Sequence, residues 1–173
     1  MGSRRCEVTS NIPPRTSQLG GMTLAVYQIV TYPEPVLREK AKEITKITPN
    51  IQRLIENMAD TMYASGGIGL AAPQIGISKR AVVVDLGDGL IVLINPEITK
   101  SEGRERGKEG CLSFPDIWGE VERAVSVKVR GFNLKGEEVF ISAEGFLARA
   151  FQHEIDHLDG IVFIDRAIKI YRD

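Results

Sequence analysis

Apolar residues recur at helical spacing in one long segment of the N-terminal half. Thr48 is a favourable N-cap and Pro49 suits the first helical position, so the pattern predicts a helix that begins there. Gly66 and Gly67 predict its end, and a shorter helical segment is predicted at residues 36–42. The predicted apolar face comprises Ile51, Leu54, Ile55, Met58 and Met62.

Four strands are predicted in the middle of the chain. Residues 81–86 and 90–95 are rich in β-branched residues, and Pro96 is expected to end the second strand. Residues 123–132 alternate between valines and polar side chains, which is typical of a half-buried strand. Residues 137–141 form the fourth predicted strand.

A second helical pattern begins at about Ala143, and Gly160 is expected to end this last helix. Helices followed by strands and one late helix favour a single α+β domain over a wound parallel sheet. One face of the late helix, which we expect to point into the protein, carries Phe146, Ala150, His153 and His157.

Residues 1–21 differ from the rest of the chain because they are polar, rich in Ser, Arg, Pro and Gly, and without apolar periodicity. We expect a disordered or expression-derived leader here, followed by a single domain at residues 22–173 that opens on a second methionine. A transit peptide is the alternative for the leader.

The bulk composition is that of an ordinary globular domain of 173 residues, 43% hydrophobic and 26% charged, with a formal net charge of −1. This balance predicts no general attraction to nucleic acid or to an anionic membrane, and no apolar run approaches the length of a membrane span. The two cysteines, Cys6 and Cys111, make no disulfide framework, so a reducing compartment is expected.

The motif H-E-x-x-H lies in the late helix and includes both histidines of the chain. On a helix this spacing puts His153 and His157 one turn apart, where both can bind one metal ion. Glu154 lies beside the first ligand, where a carboxylate can accept a proton from a water activated by the metal. The alternative is an exposed helix whose histidines are ordinary surface residues.

Two histidines leave a catalytic metal one protein ligand short of the usual three. Cys111, in the sequence E-G-C-L-S-F-P at residues 109–115, can supply a thiolate, and a buried structural cysteine is the alternative.

Residues 66–76 are rich in glycine and carry one polar side chain, Gln74. Glycines allow the backbone to approach a ligand closely, although a simple turn between helix and strand would also explain them.

Together these segments resemble the peptide deformylases. The three motifs of that family, G-x-G-L-A-A-x-Q, E-G-C-L-S and Q-H-E-x-D-H, occur in order at residues 67–74, 109–113 and 152–157. The resemblance covers residues 22–173. It implies mostly antiparallel β-sheets packed around the C-terminal helix that carries H-E-x-x-H, with helices on the N-terminal side.

The activity implied by the resemblance is removal of the N-formyl group from the initiator methionine of new polypeptides, with release of formate. Glu154 would be the general acid and base. The side chain of Gln74 and the backbone N–H of Leu112 would donate hydrogen bonds to the oxyanion. The metal would be Fe²⁺, for which Ni²⁺, Co²⁺ or the less active Zn²⁺ can substitute. Its ligands would be Cys111, His153 and His157.

Substrate binding is implied by the same resemblance. Ile68 and Gly69 would pair with the peptide backbone as an added strand. Arg149 would border the methionine pocket with its stem, its charge reaching solvent. Glu109 would form a buried ion pair with Arg123, and two unrelated surface charges are the alternative. The implied substrate-binding residues are Gly67, Ile68, Gly69, Glu109, Gly110, Phe146, Arg149 and Ala150.

Two other functions compete with this one. H-E-x-x-H alone would indicate a zinc endopeptidase, but the small size, the cysteine and Gln74 argue against it. A catalytically silent metal-binding protein would be expected to lack Glu154 or Gln74.

The expected partners are N-formylmethionyl nascent peptides and the ribosome exit region, without specific nucleic acid or membrane binding. We expect a monomer in the bacterial cytoplasm, or in an organelle if the leader is a transit peptide.

Overall fold

The structure is a computed structural model that describes residues 16–19 and 22–173. Most of the predicted leader lies outside the described residues. Cys6 is also outside them, so the prediction that it forms no disulfide is not tested. Thr16–Leu19 (β1) pairs with Met22–Ala25 (β2) as an antiparallel hairpin. Among the described helices, none combines the length and the apolar character needed to cross a membrane.

The other elements in the described part of the chain are helices, 3₁₀ turns and strands. The helices are Pro49–Ala64 (α1), Gly145–Leu158 (α2) and Phe163–Arg166 (α3), and the 3₁₀ turns are Pro35–Arg38 and Ala72–Ile75. The strands are Gly69–Ala71 (β3), Ala81–Val84 (β4), Ile91–Glu102 (β5), Glu105–Cys111 (β6), Phe114–Arg123 (β7), Ser126–Phe132 (β8), Glu138–Glu144 (β9) and Ala167–Arg172 (β10).

Two antiparallel sheets surround α2. The larger sheet has the strand order β3-β4-β5-β8-β9 and the smaller has the order β10-β7-β6, so β3 and β6 are edge strands. Phe151, Ile155 and Leu158 of α2 pack into the core formed with the larger sheet. This arrangement confirms the expected α+β fold, with antiparallel sheets around the C-terminal helix.

α1 forms where the sequence predicts it. The Thr48 hydroxyl accepts a hydrogen bond from the backbone N–H of Ile51 at 3.3 Å, which caps the helix. The apolar face packs on β3 and β4, and each of its buried side chains contributes roughly 1.5–3 kcal/mol by leaving water. Its buried apolar residues include Ile51, Ile55, Met58 and Met62.

The strand predicted to end before Pro96 continues past it. Pro96 cannot donate to a strand ladder, and the chain accommodates it with a bulge in which Asn95 has a φ of 51°. The Asn95 amide holds this bend by bonding both the N–H and the C=O of Ile44. The helical segment predicted at residues 36–42 is also shorter than expected, since only the 3₁₀ turn Pro35–Arg38 forms.

The sequence pattern does not predict β6, β7 and β10. β6 reads E-R-G-K-E-G-C, which lacks apolar alternation because its inward side chains are Glu109 and Cys111. Arg123, predicted to open β8, instead ends β7. The small sheet is therefore the part of the fold that tertiary contacts, rather than local pattern, determine.

Candidate active site

α2 carries both histidines on its buried side. His153 is 9% exposed and His157 is 1% exposed, which confirms the inward orientation predicted for them. Phe146, predicted on the same face, is instead 57% exposed, because it lies in the first turn of α2 at the edge of a pocket. The two ring centroids lie 5.1 Å apart because residues four apart on a helix are neighbours.

Cys111 is brought to the histidines by the turn from β6 into β7. Its Sγ lies 3.4 Å from Nε2 of His157. One donor atom from each of Cys111, His153 and His157 lies within 4.8 Å of the others, and all three residues are buried. A thiolate and two imidazoles suit a divalent transition metal, so the residues present fit the metal that the motif implied.

His153 is held by a carboxylate on its far side. Its Nδ1 lies 3.0 Å from Oε2 of Glu109, which leaves Nε2 free to face a metal. Burial lowers the pKa of His153, but hydrogen bonds with Cys111 and Glu109, together with the charges of Cys111 and Glu154, outweigh burial and raise the pKa well above its usual value. Burial, together with the nearby His153, lowers the pKa of His157. Groups that draw a proton to this cluster also attract a metal cation.

Glu109 is the centre of a buried ion network. Both of its oxygens accept hydrogen bonds from Arg123, at 2.8 and 3.0 Å, so the predicted ion pair is confirmed. Burial raises the pKa of Glu109, but hydrogen bonds and charges from His153 and Arg123 outweigh it and hold the pKa well below its usual range. Asp156, inside the H-E-x-x-H segment, also binds Arg123 and pairs with Arg166. Sequence reasoning missed this role of Asp156.

Arg149 differs from the expectation that its charge reaches solvent. The residue is 5% exposed, and its guanidinium donates to a Glu109 oxygen and to the backbone oxygens of Val121 and Glu105. The charge stays inside because the β6–β7 hairpin surrounds it with acceptors. Gly107 makes room for it, since a Cβ there would lie 2.9 Å from the guanidinium carbon.

Glu154 lies buried beside the histidines. Burial is the main cause that raises its pKa to about 7. Its Oε2 is buried and has no hydrogen-bond partner among the described residues, as expected for a carboxylate that faces the position of a reacting water. The other oxygen lies against β3, where a Cβ on Gly69 would come within 2.7 Å of it.

The side-chain amide of Gln74 is held in place by hydrogen bonds at both its oxygen and its nitrogen. Its Oε1 accepts from the backbone N–H of Ala71 at 3.0 Å, and its Nε2 donates to Cys111 Sγ and Ser113 Oγ, both at 3.3 Å. The amide N–H groups therefore point to the metal cluster, as the prediction for Gln74 requires. Leu112 follows Cys111 directly and is buried. Ser113 was not singled out from the sequence, although it lies inside the second motif.

A pocket of about 90 Å³ adjoins Glu154. Of the substrate-binding residues predicted from the sequence, only Gly67 and Gly69 are absent from its lining; they flank Ile68, and Gly69 is the first residue of β3. Lys108 also lines it and was missed, because β6 was not predicted as a strand. The lining residues are Ile68, Lys108, Glu109, Gly110, Phe146, Arg149, Ala150, His153 and Glu154.

Comparison with known proteins gives the family. The profile described as polypeptide deformylase matches residues 26–173. The chain belongs to the polypeptide deformylase family. It is 63% identical over 151 residues to the peptide deformylase of Desulforudis audaxviator, an alignment that covers 86% of this chain and 98% of that protein. The crystal structure of peptide deformylase from Thermotoga maritima is 49% identical with a TM-score of 0.81, covering 82% of this chain and 97% of that one.

A second crystal structure extends the match. Peptide deformylase from Synechococcus elongatus, in complex with actinonin, is 38% identical with a TM-score of 0.80, covering 93% of this chain and 87% of that one. Family membership makes this protein a hydrolase that removes the N-formyl group from newly made polypeptides. The metal dependence of deformylases agrees with the buried cluster of Cys111, His153 and His157.

Proposed function

We propose that Cys111, His153 and His157 hold one Fe²⁺ ion, for which Ni²⁺, Co²⁺ or Zn²⁺ can substitute. The mixed sulfur and nitrogen donor set supports this assignment, because a soft thiolate distinguishes the site from the nitrogen and oxygen ligands of ordinary H-E-x-x-H peptidases. When bound, such an ion supplies a Lewis acid that polarises the formyl carbonyl and lowers the pKa of water.

Glu154 is the general base and acid in this proposal. Its carboxylate accepts the proton of the attacking water and passes it to the nitrogen of the departing methionine. Two observations support the role: the Oε2 atom has no partner among the described residues, and burial raises the pKa towards neutrality. A base with a pKa near the working pH can both accept and return a proton.

Gln74 and Leu112 stabilise the oxyanion that develops on the formyl oxygen. The Gln74 amide is preorganised because Ala71 fixes its oxygen, and its N–H groups already point to the metal cluster through bonds to Cys111 and Ser113. Donation to the oxyanion replaces one of these two bonds. The backbone N–H of Leu112, the residue after Cys111, is the second donor. Loss of one such donor costs roughly 10²–10³ in rate.

The peptide substrate adds to the free edge of β3. Ile68 and Gly69 supply the backbone groups that pair with it, and Gly67 keeps the approach open. The methionine side chain enters the pocket bordered by Phe146 and Ala150. Arg149 forms its wall through the guanidinium bound to Glu109, instead of reaching solvent.

One observation carries the proposal: three buried metal donors within 4.8 Å of one another lie beside a buried carboxylate with an unpartnered oxygen. The test is release of formate from a formyl-Met-Ala peptide by protein loaded anaerobically with Fe²⁺ or with Zn²⁺. We expect formate release, faster with Fe²⁺. Cleavage of internal peptide bonds without formate would favour a zinc endopeptidase, and equal rates with both metals would contradict the Fe²⁺ assignment.

The substrates are N-formylmethionyl nascent peptides, which the enzyme meets at the ribosome exit region as a monomer of the bacterial cytoplasm.

Residues 22–173 are the catalytic domain. Deletion of residues 1–21 is therefore expected to leave formate release unchanged. A loss of activity in the shortened protein, with its fold retained by circular dichroism, would make the leader part of the working enzyme.

A further inference from the structure

The small sheet carries a groove outside the metal cluster. Its volume is about 260 Å³, larger than the pocket beside Glu154. No residue that lines it is a proposed metal ligand or catalytic group. The lining residues are Arg106, Gly107, Lys108, Trp118, Glu120 and Tyr171.

Strand register explains why the side chains that line the groove share one face. Trp118, on the central strand β7, lies opposite Gly110 on one side and Tyr171 on the other. Two residues further along β7, Glu120 lies opposite Lys108. Residues that are directly opposite in antiparallel strands project from the same face, as do residues two apart on one strand.

The groove is formed in advance of any ligand. The rings of Trp118 and Tyr171 stack with centroids 3.9 Å apart and an interplanar angle of 12°. Lys108 Nζ lies 4.0 Å from the centre of the Trp118 ring, and Lys169 Nζ lies 5.0 Å from that of Tyr171. These contacts hold the rings in place, so a ligand that binds there loses little side-chain entropy.

The groove adjoins the reaction pocket at one shared lining residue, Lys108. β6, which carries Lys108, is the edge strand next to the pocket. An extended peptide advances about 3.3 Å per residue and neighbouring strands lie about 4.8 Å apart. Roughly three residues therefore carry a peptide from β6 across the groove to β10.

We propose that this groove extends the substrate site and binds polypeptide residues downstream of those held beside the metal cluster. The inference rests on the deformylase function. Newly made polypeptides share formylmethionine but differ afterwards, so downstream contacts must tolerate many sequences. The edges of the stacked Trp118 and Tyr171 rings do this, because apolar contact with peptide planes and aliphatic stems needs no particular sequence. Charges of both signs line the groove, Arg106 and Lys108 together with Glu120.

The kinetic test compares formyl-Met-Ala-Ser with the same sequence extended by six residues. We expect kcat/KM to favour the longer peptide by about tenfold through a lower KM. Trp118→Ala is expected to reduce that preference to less than about twofold and to leave kcat/KM for the short peptide unchanged. Phe140→Ala, which removes a 73% exposed ring from the larger sheet, is the matched control and keeps the preference.

Two outcomes of this assay would overturn the inference: no preference in the unsubstituted enzyme, or an equal loss on both peptides in Trp118→Ala. Absence of formate from every peptide would instead contradict the deformylase function.

A binding test uses the fact that Trp118 is the only tryptophan of the chain. The deformylated long peptide is expected to change its fluorescence saturably, whereas the short peptide does not. Tyr171→Ala is expected to weaken this binding about tenfold, since it removes half of the aromatic platform. A saturable change with a short single-stranded RNA, and none with the long peptide, would reject the proposal and assign the groove to nucleic acid.

Discussion

Oε2 of Glu109 lies 3.0 Å from Nδ1 of His153. The same carboxylate accepts hydrogen bonds from Arg123 and Arg149, and all of these residues are buried. The ring of His153 is therefore oriented, and a negative charge is held behind it, by contacts that exist within the protein itself. Glu109 lines the substrate pocket, but its contacts make it first a positioning residue for a proposed metal ligand.

Glu109→Gln is expected to lower metal affinity by about 10–100-fold, because the partner of His153 loses its charge. It is also expected to lower the free energy of unfolding by about 3–5 kcal/mol, since buried Arg123 and Arg149 lose their shared anion. Competition with a chelator and urea unfolding measure the two effects. Glu97→Gln, at an exposed pair with Arg130, is the control and should change neither. Wild-type affinity in Glu109→Gln would remove the positioning role.

Glu154→Gln is expected to keep the bound metal and to lower kcat by about 10²–10⁴, because the amide cannot accept the proton of water. Metal content by elemental analysis and formate release measure the two properties. Glu138→Gln, at the exposed end of β9, is the control for a lost carboxylate. Substantial turnover by Glu154→Gln at full metal occupancy would assign proton transfer to another group.

The pH dependence of the rate has a predicted sign. Glu154 works as a base, so kcat/KM is expected to rise with pH through its pKa and then level. Burial raises that pKa to about 7 in the metal-free site, and a nearby cation favours the carboxylate. The acid limb of the profile should therefore have its midpoint at or below about 7. A profile that falls as pH rises through this range would exclude Glu154 as the base.

Gly69→Ala and Gly67→Ala test two places where the backbone lies close to another side chain. A Cβ at Gly69 would lie 2.7 Å from Oε1 of the buried Glu154, so the base must move, and we expect kcat to fall by at least about tenfold. A Cβ at Gly67 would meet only the flexible end of Leu112, at 2.9 Å, and a loss of about threefold or less is expected. Steady-state kinetics of both variants check the order. A larger loss in Gly67→Ala would contradict it.

The sequence alone determined the features that depend on interactions between residues close together in the chain. Thr48, Pro49 and the apolar spacing specify α1 because capping and helical periodicity are local properties. The spacing of His153 and His157 places them on one helix face for the same reason. The three motifs identified the family, since each contains residues of the active site and can be recognised without knowing how far apart the motifs lie in space.

Only the tertiary structure decided how the separated parts meet. β6 has no apolar alternation, because Glu109 and Cys111 point inward and find their partners on α2 and β7. The buried position of Arg149 follows from acceptors on the β6–β7 hairpin, which no local pattern specifies. The groove at Trp118 and Tyr171 likewise depends on the register of β7 with β10. Long-range pairing of polar groups leaves no periodic signal in the chain. The family motifs predicted that Cys111 meets the histidines and Glu109 meets Arg123, but nothing in the sequence predicted the strand that carries them, the buried charge of Arg149 or the groove.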